Sequence, residues 1–171
     1  PTDKVIILPN NKNIILAANS AQSLSVKQVE VIPTKNITQG ISAILRWNPD
    51  ADFQQVVDDM NESLEEADCG EITVATRSVE INGVEVKKGK IIGLLNGKLV
   101  VSGESVAEAC VALLEKTDID DRERITLFYG SDYPETEAND LAALLGEKYP
   151  DHEIEVHNGG QPHYHLILSI E

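Results

Sequence analysis

The first fifty residues alternate strand-like and helix-like segments, and this rhythm constrains the fold more than any other feature of the sequence. A β-rich run at Lys4–Leu8 ends at Pro9-Asn10-Asn11, and from Asn13 onward apolar residues recur near the spacing of a helix. A second β-rich run, Gln28–Ile32, stops at a proline, and a second helical pattern with isoleucines at 37, 41 and 44 follows it. Because strands joined by a crossover helix run parallel, we predict a parallel sheet here.

The rest of the chain changes in character after one more helix, which we predict from about Asp52 to Ala67. Residues 71–103 hold short β-rich blocks separated by Asn82-Gly83 and Asn96-Gly97, both typical of type I′ hairpin turns, and this pattern predicts an antiparallel meander. Ser105 and Glu108 have the spacing of a helix capping box. The remaining predicted elements are a helix at about Ser105–Lys116, strand Ile125–Tyr129, helix Glu135–Tyr149, strand Glu153–His157 and strand Leu166–Ile170.

These patterns predict an α/β fold with two lobes. Residues 1–67 form a parallel βα lobe, and residues 68–171 form a mixed-sheet lobe with antiparallel strands and helices. The first residue is Pro1 rather than methionine, and a strand-like block follows almost at once. We therefore expect the chain to be a fragment of a longer protein.

The charge balance restricts the partners that the chain can bind. Twenty-nine acidic against fourteen basic residues give a formal charge of −15. Such a surface repels nucleic-acid phosphates and anionic lipid headgroups, so we expect no nucleic-acid partner and a basic protein surface is easier to accommodate. Solubility alone is the simpler explanation of the acidic charge.

The same sequence argues against a membrane or secreted location. No apolar run approaches the roughly 20 residues needed to cross a bilayer, and there is no signal-peptide pattern, so we expect no stable membrane insertion and a cytoplasmic location. Cys69 and Cys110 lie far apart without a CxxC spacing. They fit small buried residues in a reducing compartment better than a redox pair or a zinc site.

Two polar loops in the first lobe follow predicted strands, where α/β proteins usually place their sites. The first loop contains Asn10, Asn11, Lys12 and Asn13, and either Asn11 or Asn13 is expected to cap the next helix. The second loop contains Thr34, Lys35, Gln39 and Gly40, with the glycine early in a helix, where it suggests a close approach by the chain itself or by a partner. Free helix N–H groups in either loop could hold an anion.

A third polar loop lies near the carboxyl end. Gly159, Gly160 and Gln161 make a sharp turn there, beside three histidines at 157, 163 and 165. In a strand His163 and His165 would share one face, and His157 could join them as a metal ligand. No cysteine or acid stands at a diagnostic spacing, so solvent-facing or hydrogen-bonded histidines are the simpler interpretation.

The sequence has none of the motifs that mark catalytic sites. There is no GxxxxGK[ST] loop, no GxGxxG, no GxSxG and no HExxH. Acidic pairs such as Asp58-Asp59, Glu65-Glu66 and Asp120-Asp121 fit solvated surface charge. We therefore predict that this chain is not an enzyme by itself.

Four ordered motifs carry a resemblance to a known family. They are Leu8-Pro9-Asn10-Asn11-Lys12-Asn13-Ile14, Val31-Ile32-Pro33-Thr34-Lys35 with Gln39-Gly40, Asn48-Pro49-Asp50-Ala51, and Gly159-Gly160-Gln161-Pro162-His163-Tyr164. In this order and spacing they resemble the C-terminal region of the bacterial dihydroxyacetone-kinase-like family typified by the large subunit of fatty-acid kinase. The resemblance spans nearly the whole chain. It departs where His163 and His165 replace residues that are usually apolar in the family.

The resemblance implies a function by docking. In that family a separate N-terminal kinase domain binds ATP and magnesium, so no cofactor is expected in this chain. The C-terminal domain is similar to two-lobed DegV-type proteins and engages the fatty-acid-binding subunit that presents an acyl group for phosphorylation. An alternative is that the chain itself binds a fatty acid or small anion in a groove between its lobes, gripped by Thr34, Lys35 and helix N–H groups.

Overall fold

The computed structural model describes residues 2–81 and 84–171, and the predicted Asn82-Gly83 turn lies outside them. The chain divides into two compact units, Pro1–Ala67 and Asp68–Glu171. None of the helices in the described ranges is both long and apolar enough to cross a bilayer.

The first unit contains a two-stranded parallel sheet and three helices. Its elements are β1 (Lys4–Ile7), α1 (Ile15–Leu24), β2 (Gln28–Val31), α2 (Ile37–Leu45) and α3 (Phe53–Glu62). Strands β1 and β2 run parallel, which confirms the prediction from the strand–helix rhythm. The core of this unit combines the end of β2 with one face of α3, and its fully buried or nearly buried apolar members are Ile32, Ala43, Phe53, Val56, Val57 and Met60.

Helix α3 is shorter than the sequence predicts. It begins after Asp52, whose carboxylate accepts a hydrogen bond from Gln54 N at 2.9 Å. It ends at Glu62 instead of Ala67, and a 3-10 turn at Ser63–Glu65 follows. The buried Ser63 hydroxyl donates to the Met60 carbonyl at 2.8 Å. This local hydrogen bond is of the kind by which serine competes with a continuing α-helix.

The second unit is built on a six-stranded mixed sheet. Its elements are β3 (Asp68–Val74), β4 (Val79–Ile81), β5 (Val84–Val86), β6 (Ile91–Leu95), β7 (Lys98–Gly103), α4 (Val106–Leu114), β8 (Arg124–Tyr129), α5 (Glu135–Lys148), β9 (Glu153–Asn158) and β10 (Tyr164–Ile170). The sheet order is β7-β6-β3-β10-β8-β9. Only β8 and β9 are parallel in this sheet, and the other neighbours are antiparallel.

The predicted meander is correct only in part. Strands β3, β6 and β7 are successive antiparallel neighbours, but β4 and β5 pair with each other as a separate ribbon. The turn between β6 and β7 has φ of 51° at Asn96 and 74° at Gly97, as a type I′ turn requires. The Asn96 side chain also accepts a hydrogen bond from Cys69 N at 2.9 Å, which ties this turn to β3.

Helices α4 and α5 pack on one face of the sheet and enclose the main core. The largest fully buried side chains include Ile72, Leu113, Leu127 and Leu168. Ser105 caps α4 by accepting from Glu108 N at 3.2 Å, but the Glu108 carboxylate accepts from Glu104 N instead of Ser105 N, so half of the capping box forms. Both cysteines are buried, as predicted.

Candidate functional site

The two polar loops of the first unit meet at the carboxyl ends of β1 and β2. Asn10 N donates a hydrogen bond to Thr34 Oγ1 at 2.8 Å, and the Thr34 side chain is fully buried. Thr34 N donates to the Ile32 carbonyl at 2.7 Å, so the chain turns sharply at Pro33. Parallel strands place their carboxyl ends at the same edge of a sheet. The loops that follow β1 and β2 are therefore expected to be neighbours from the sequence pattern alone.

Asn10 also explains the glycine in the second loop. A Cβ built on Gly40 would overlap Asn10 Oδ1 and lie 2.7 Å from Asn10 Cγ. Asn10 has φ of 51°, a left-handed conformation that asparagine tolerates better than most residues. The close approach at Gly40 is therefore made by the chain's own Asn10.

The prediction that Asn11 or Asn13 caps α1 is wrong. The N-cap position is Ile14, which has no side-chain capping bond. Asn11 Oδ1 instead accepts from Asn13 N at 2.9 Å, and Ile14 N donates to the Asn11 carbonyl at 3.0 Å. The asparagine forms an Asx turn, which uses its carboxamide before the helix begins. The side chains of Asn11, Lys12 and Asn13 are exposed.

The start of α2 already has its own capping network. Asn36 Oδ1 accepts from Gln39 N at 2.9 Å and from the Thr38 hydroxyl at 2.8 Å. Lys35 N donates to Gln39 Oε1 at 2.8 Å, while Gln39 Nε2 donates to the Leu64 carbonyl at 2.8 Å. Gln39 thus links the loop to the 3-10 turn that follows α3, and side chains occupy backbone N–H donors that an anion would use. Asn36 is not among the predicted site residues, although its place before the helical pattern is a capping signal.

The third loop folds back on strand β8 of the second unit. Gly159 N and Gly160 N donate to the Tyr129 carbonyl at 3.0 and 3.2 Å, and Gln161 Nε2 donates to the Phe128 carbonyl at 2.8 Å. A Cβ on nearby Gly130 would overlap the Tyr164 carbonyl oxygen and lie 2.6 Å from that of Gln161. Gln161 therefore holds the loop in place. Gly130 is not among the predicted site residues, because its only sequence signal is a glycine directly after a strand.

The histidines near this loop do not form the face that the sequence suggested. His163 has φ of 72° and precedes β10, and the pairing register shifts between Tyr164 and Leu166. His165 lies against Tyr133 with ring centroids 5.9 Å apart, whereas His157 stacks on Phe128 at 5.8 Å. Within residues 2–81 and 84–171, no group of three or more histidine, cysteine or acidic side chains is arranged to hold a metal ion.

Helix α2 presents most of its large apolar side chains outward, whereas Ile41 is half-buried. Ile37, Ile44 and Leu45 are 42%, 52% and 73% exposed, and Trp47 just beyond the helix is 51% exposed. The buried face of α2 holds small residues, namely Thr38, Gly40, Ser42 and Ala43. We call the four exposed residues the α2 apolar surface. A helix with small residues inside and large apolar residues outside is the reverse of the usual arrangement in a monomer.

Solved structures define the class of this fold. A DegV family protein, Cg2579 from Corynebacterium glutamicum, has a TM-score of 0.69 at 18% identity and covers 98% of this chain and 75% of its own. A fatty-acid-binding DegV family protein from Thermus thermophilus has a TM-score of 0.63 at 13% identity, covering 99% and 71%. The Streptococcus pneumoniae fatty acid kinase B3 protein, loaded with linoleic acid, has a TM-score of 0.64 at 11% identity, covering 97% and 70%. The fold is DegV-like, as the resemblance implied.

The sequence then identifies the family within this class. The family model for the C-terminal region of FakA-like fatty acid kinase subunits matches residues 1–171, so the chain belongs to that family. Protein YloV of Bacillus subtilis is 42% identical over 169 residues, and an uncharacterised protein of Staphylococcus aureus (strain MRSA252) is 39% identical over 168. These alignments cover 99% and 98% of this chain but 31% of each relative, so the chain spans about a third of their length.

Proposed function

We propose that this chain is a non-catalytic docking domain of a cytoplasmic fatty-acid kinase. It docks the separate fatty-acid-binding subunit, so that a kinase domain elsewhere, which holds ATP and magnesium, can phosphorylate the bound acyl group. Family membership supports the setting, because the family is named for the FakA component of fatty acid kinase. The fold of the partner class that we propose is also represented among the similar structures, by the linoleic-acid-loaded B3 protein.

The outward-facing α2 apolar surface is the observation that carries this proposal. Of the ten large apolar side chains that are exposed among the described residues, eight belong to the first unit. Single exposed apolar residues are ordinary, but their concentration on one small unit is typical of a protein-interaction region. The segment from Asp50 to Glu66 adds seven acidic and no basic side chains, which favours a partner with a basic surface.

The polar loops support recognition better than chemistry. Asn10, Thr34, Gln39, Gly40 and Gln161 are engaged with the chain's own backbone and side chains. In our proposal these residues maintain the conformation of the loops. Gly159 and Gly160 have the same role in the third loop, beside Gln161. The side chains of Asn11, Lys12, Asn13 and Lys35 are exposed, and in our proposal they contact the partner or ligand.

A calorimetric titration tests the docking role. The chain is titrated with the fatty-acid-binding subunit from the same bacterium, loaded with a fatty acid, and we expect saturable one-to-one binding. Absence of binding at high micromolar concentration contradicts the proposal. With ATP and magnesium added, we expect no phosphoryl transfer from the isolated chain, and measurable turnover contradicts the non-catalytic assignment.

A second candidate function is binding of a fatty acid by this chain itself. The observation that favours it is the shared fold, because the Thermus thermophilus and Streptococcus pneumoniae structures are described as binding fatty acid or loaded with it. Native mass spectrometry of the chain purified from cells distinguishes the two candidates. A co-purified fatty acid supports direct binding, and a bare protein mass argues against it.

A further inference from the structure

A turn between α2 and α3 forms one wall of a cavity in the first unit. Asn48 Oδ1 accepts a hydrogen bond from Asp50 N at 3.0 Å, and Ala51 N donates to the Asn48 carbonyl at 3.3 Å. This Asx turn, with Pro49 inside it, reverses the chain and aims Pro49 and Ala51 into the cavity. The segment belongs to one of the motifs that carry the family resemblance; Ala51 packs against the core of the first unit, whereas Asn48, Pro49 and Asp50 are exposed.

The cavity has a volume of about 540 Å³, within the range of roughly 300–1,000 Å³ that is usual for binding pockets. Its lining includes Ile6 of β1 and Leu8, which lies just beyond that strand, together with Phe53 and Met60 from α3. Ile44 and Trp47 of the α2 apolar surface form its rim. The cavity is therefore continuous with the surface that carries the docking proposal.

The charges around this cavity indicate which of two occupants it favours, the carboxylate end of a fatty acid or a side chain of a protein partner. Lys4 is the one cationic side chain among the lining residues, and its Nζ lies 5.2 Å above the centre of the Phe53 ring. Asp50 and Asp52 do not line the cavity, but both are exposed and lie next in sequence to its lining residues Pro49, Ala51 and Phe53. Lys4 already faces an aromatic ring, and the segment that follows the turn, residues 50–66, carries seven acids and no base, so the surroundings disfavour a negatively charged headgroup. They favour an apolar group that is flanked by positive charge.

We propose that this cavity, walled by the Asn48–Ala51 turn and rimmed by Ile44 and Trp47, receives a large apolar side chain from a basic segment of the protein partner. This inference rests on the proposed docking function and gives its location and chemistry. Large side chains that enter a pocket at the centre of an interface usually dominate its binding energy. The exposed acids Asp50 and Asp52, adjacent in sequence to the cavity wall, then favour lysine or arginine beside that anchor.

Trp47 provides a direct readout, because it is the sole tryptophan of the chain. The chain is labelled with 5-fluorotryptophan and its single ¹⁹F resonance is followed while the fatty-acid-loaded partner subunit is added. We expect the resonance to shift as the complex forms, and to stay in place with free fatty acid alone. A complex that forms by calorimetry without moving this resonance overturns the cavity assignment and leaves the docking function standing. Failure to form any complex overturns both.

A matched pair of substitutions provides a second test. Ile44 at the cavity rim and Leu144 on α5 are similarly exposed, at 52% and 46%. We expect Ile44→Asp to weaken partner binding by about 30-fold or more, as for an interface hot spot, and Leu144→Asp to change it less than about 2-fold. Circular dichroism checks that each variant is folded. The ¹⁹F experiment uses the chain without either substitution, so it does not depend on their folding. The reverse ranking, or a resonance shift with free fatty acid alone, overturns the proposal.

Discussion

Gly130 and Gly146 lie in the second unit in opposite surroundings. A Cβ on Gly130 would overlap the Tyr164 carbonyl oxygen, so an alanine there must displace backbone. Gly146 lies inside α5, and a Cβ there would meet nothing within 4 Å. The same added methyl group should therefore destabilise the fold at Gly130 and stabilise it at Gly146.

We predict that Gly130→Ala lowers the free energy of unfolding by about 2 kcal/mol or more, since a close-packed region resists inserted atoms. Gly146→Ala should raise it by about 0.5–1 kcal/mol, because alanine is the better helix former. Urea unfolding of the two variants and the parent chain measures both effects. Equal effects at the two positions would contradict the packing described for Gly130.

Cys110 gives the second unit a dependence on alkaline pH. Burial raises the pKa of its thiol from 9.0 to about 12, and burial, with nearby acids, raises the pKa of Tyr133 to about 12. A raised pKa means that the unfolded chain loses these protons first, so the stabilisation is complete below about pH 9 and declines as the pH rises towards 12.

We therefore predict that the free energy of unfolding falls between pH 9 and pH 11, and that the fall is smaller in Cys110→Ala. Chemical denaturation at the two pH values measures both quantities. The comparison uses the change with pH within each variant, so any stability lost through the smaller side chain cancels. An identical decline in the two proteins would exclude Cys110 as a source.

Single residues show where sequence reasoning succeeds and where it stops. Gly40 could be singled out because a glycine in a helix needs a reason, and both cysteines could be expected to be buried. Gly130 could not, because the carbonyls that exclude a side chain come from Gln161 and Tyr164, far along the chain. The α1 cap was misassigned because Asn11 had two local hydrogen-bonding choices, and the Asx turn uses its carboxamide.

At the scale of elements, the start of α2 depends on one asparagine. Asn36 Oδ1 accepts two hydrogen bonds, from Gln39 N and from Thr38 Oγ1. We predict that Asn36→Ala lowers the free energy of unfolding by about 1 kcal/mol, the usual effect of removing an N-cap. Asn13→Ala is the control, since Asn13 is exposed and α1 begins after Ile14. A larger loss in the control, measured by urea unfolding, would restore Asn13 as a cap.

The elements themselves were largely predictable, because periodicity and turn residues are local signals. The type I′ turn at Asn96-Gly97 and the parallel pairing of β1 with β2 followed directly from them. The separate β4–β5 ribbon did not, because whether a hairpin joins a larger sheet depends on which distant strand takes the neighbouring edge. The position of β10 between β3 and β8 is set in the same non-local way.

At the scale of the whole molecule, each unit has its own apolar core, and the surface of the first unit distinguishes it. Spacing alone gave Ile37, Ile41 and Ile44 one helical face, but it could not tell whether that face points into a core or into solvent. The answer depends on the small residues Thr38, Ser42 and Ala43 packing inward instead. Our docking proposal rests on the exposed α2 apolar surface and on membership of the FakA-like family. The chain spans about a third of the length of its relatives in that family.

Hydrogen–deuterium exchange of this chain, alone and with the fatty-acid-loaded partner subunit, tests the docking proposal most directly. Binding should slow exchange in the segment that contains α2, the Asn48–Ala51 turn and the start of α3, residues 37–53. The outer faces of α4 and α5, between residues 106 and 148, should exchange at unchanged rates. Protection confined to α4 and α5, or no protection in a complex that demonstrably forms, would contradict the account.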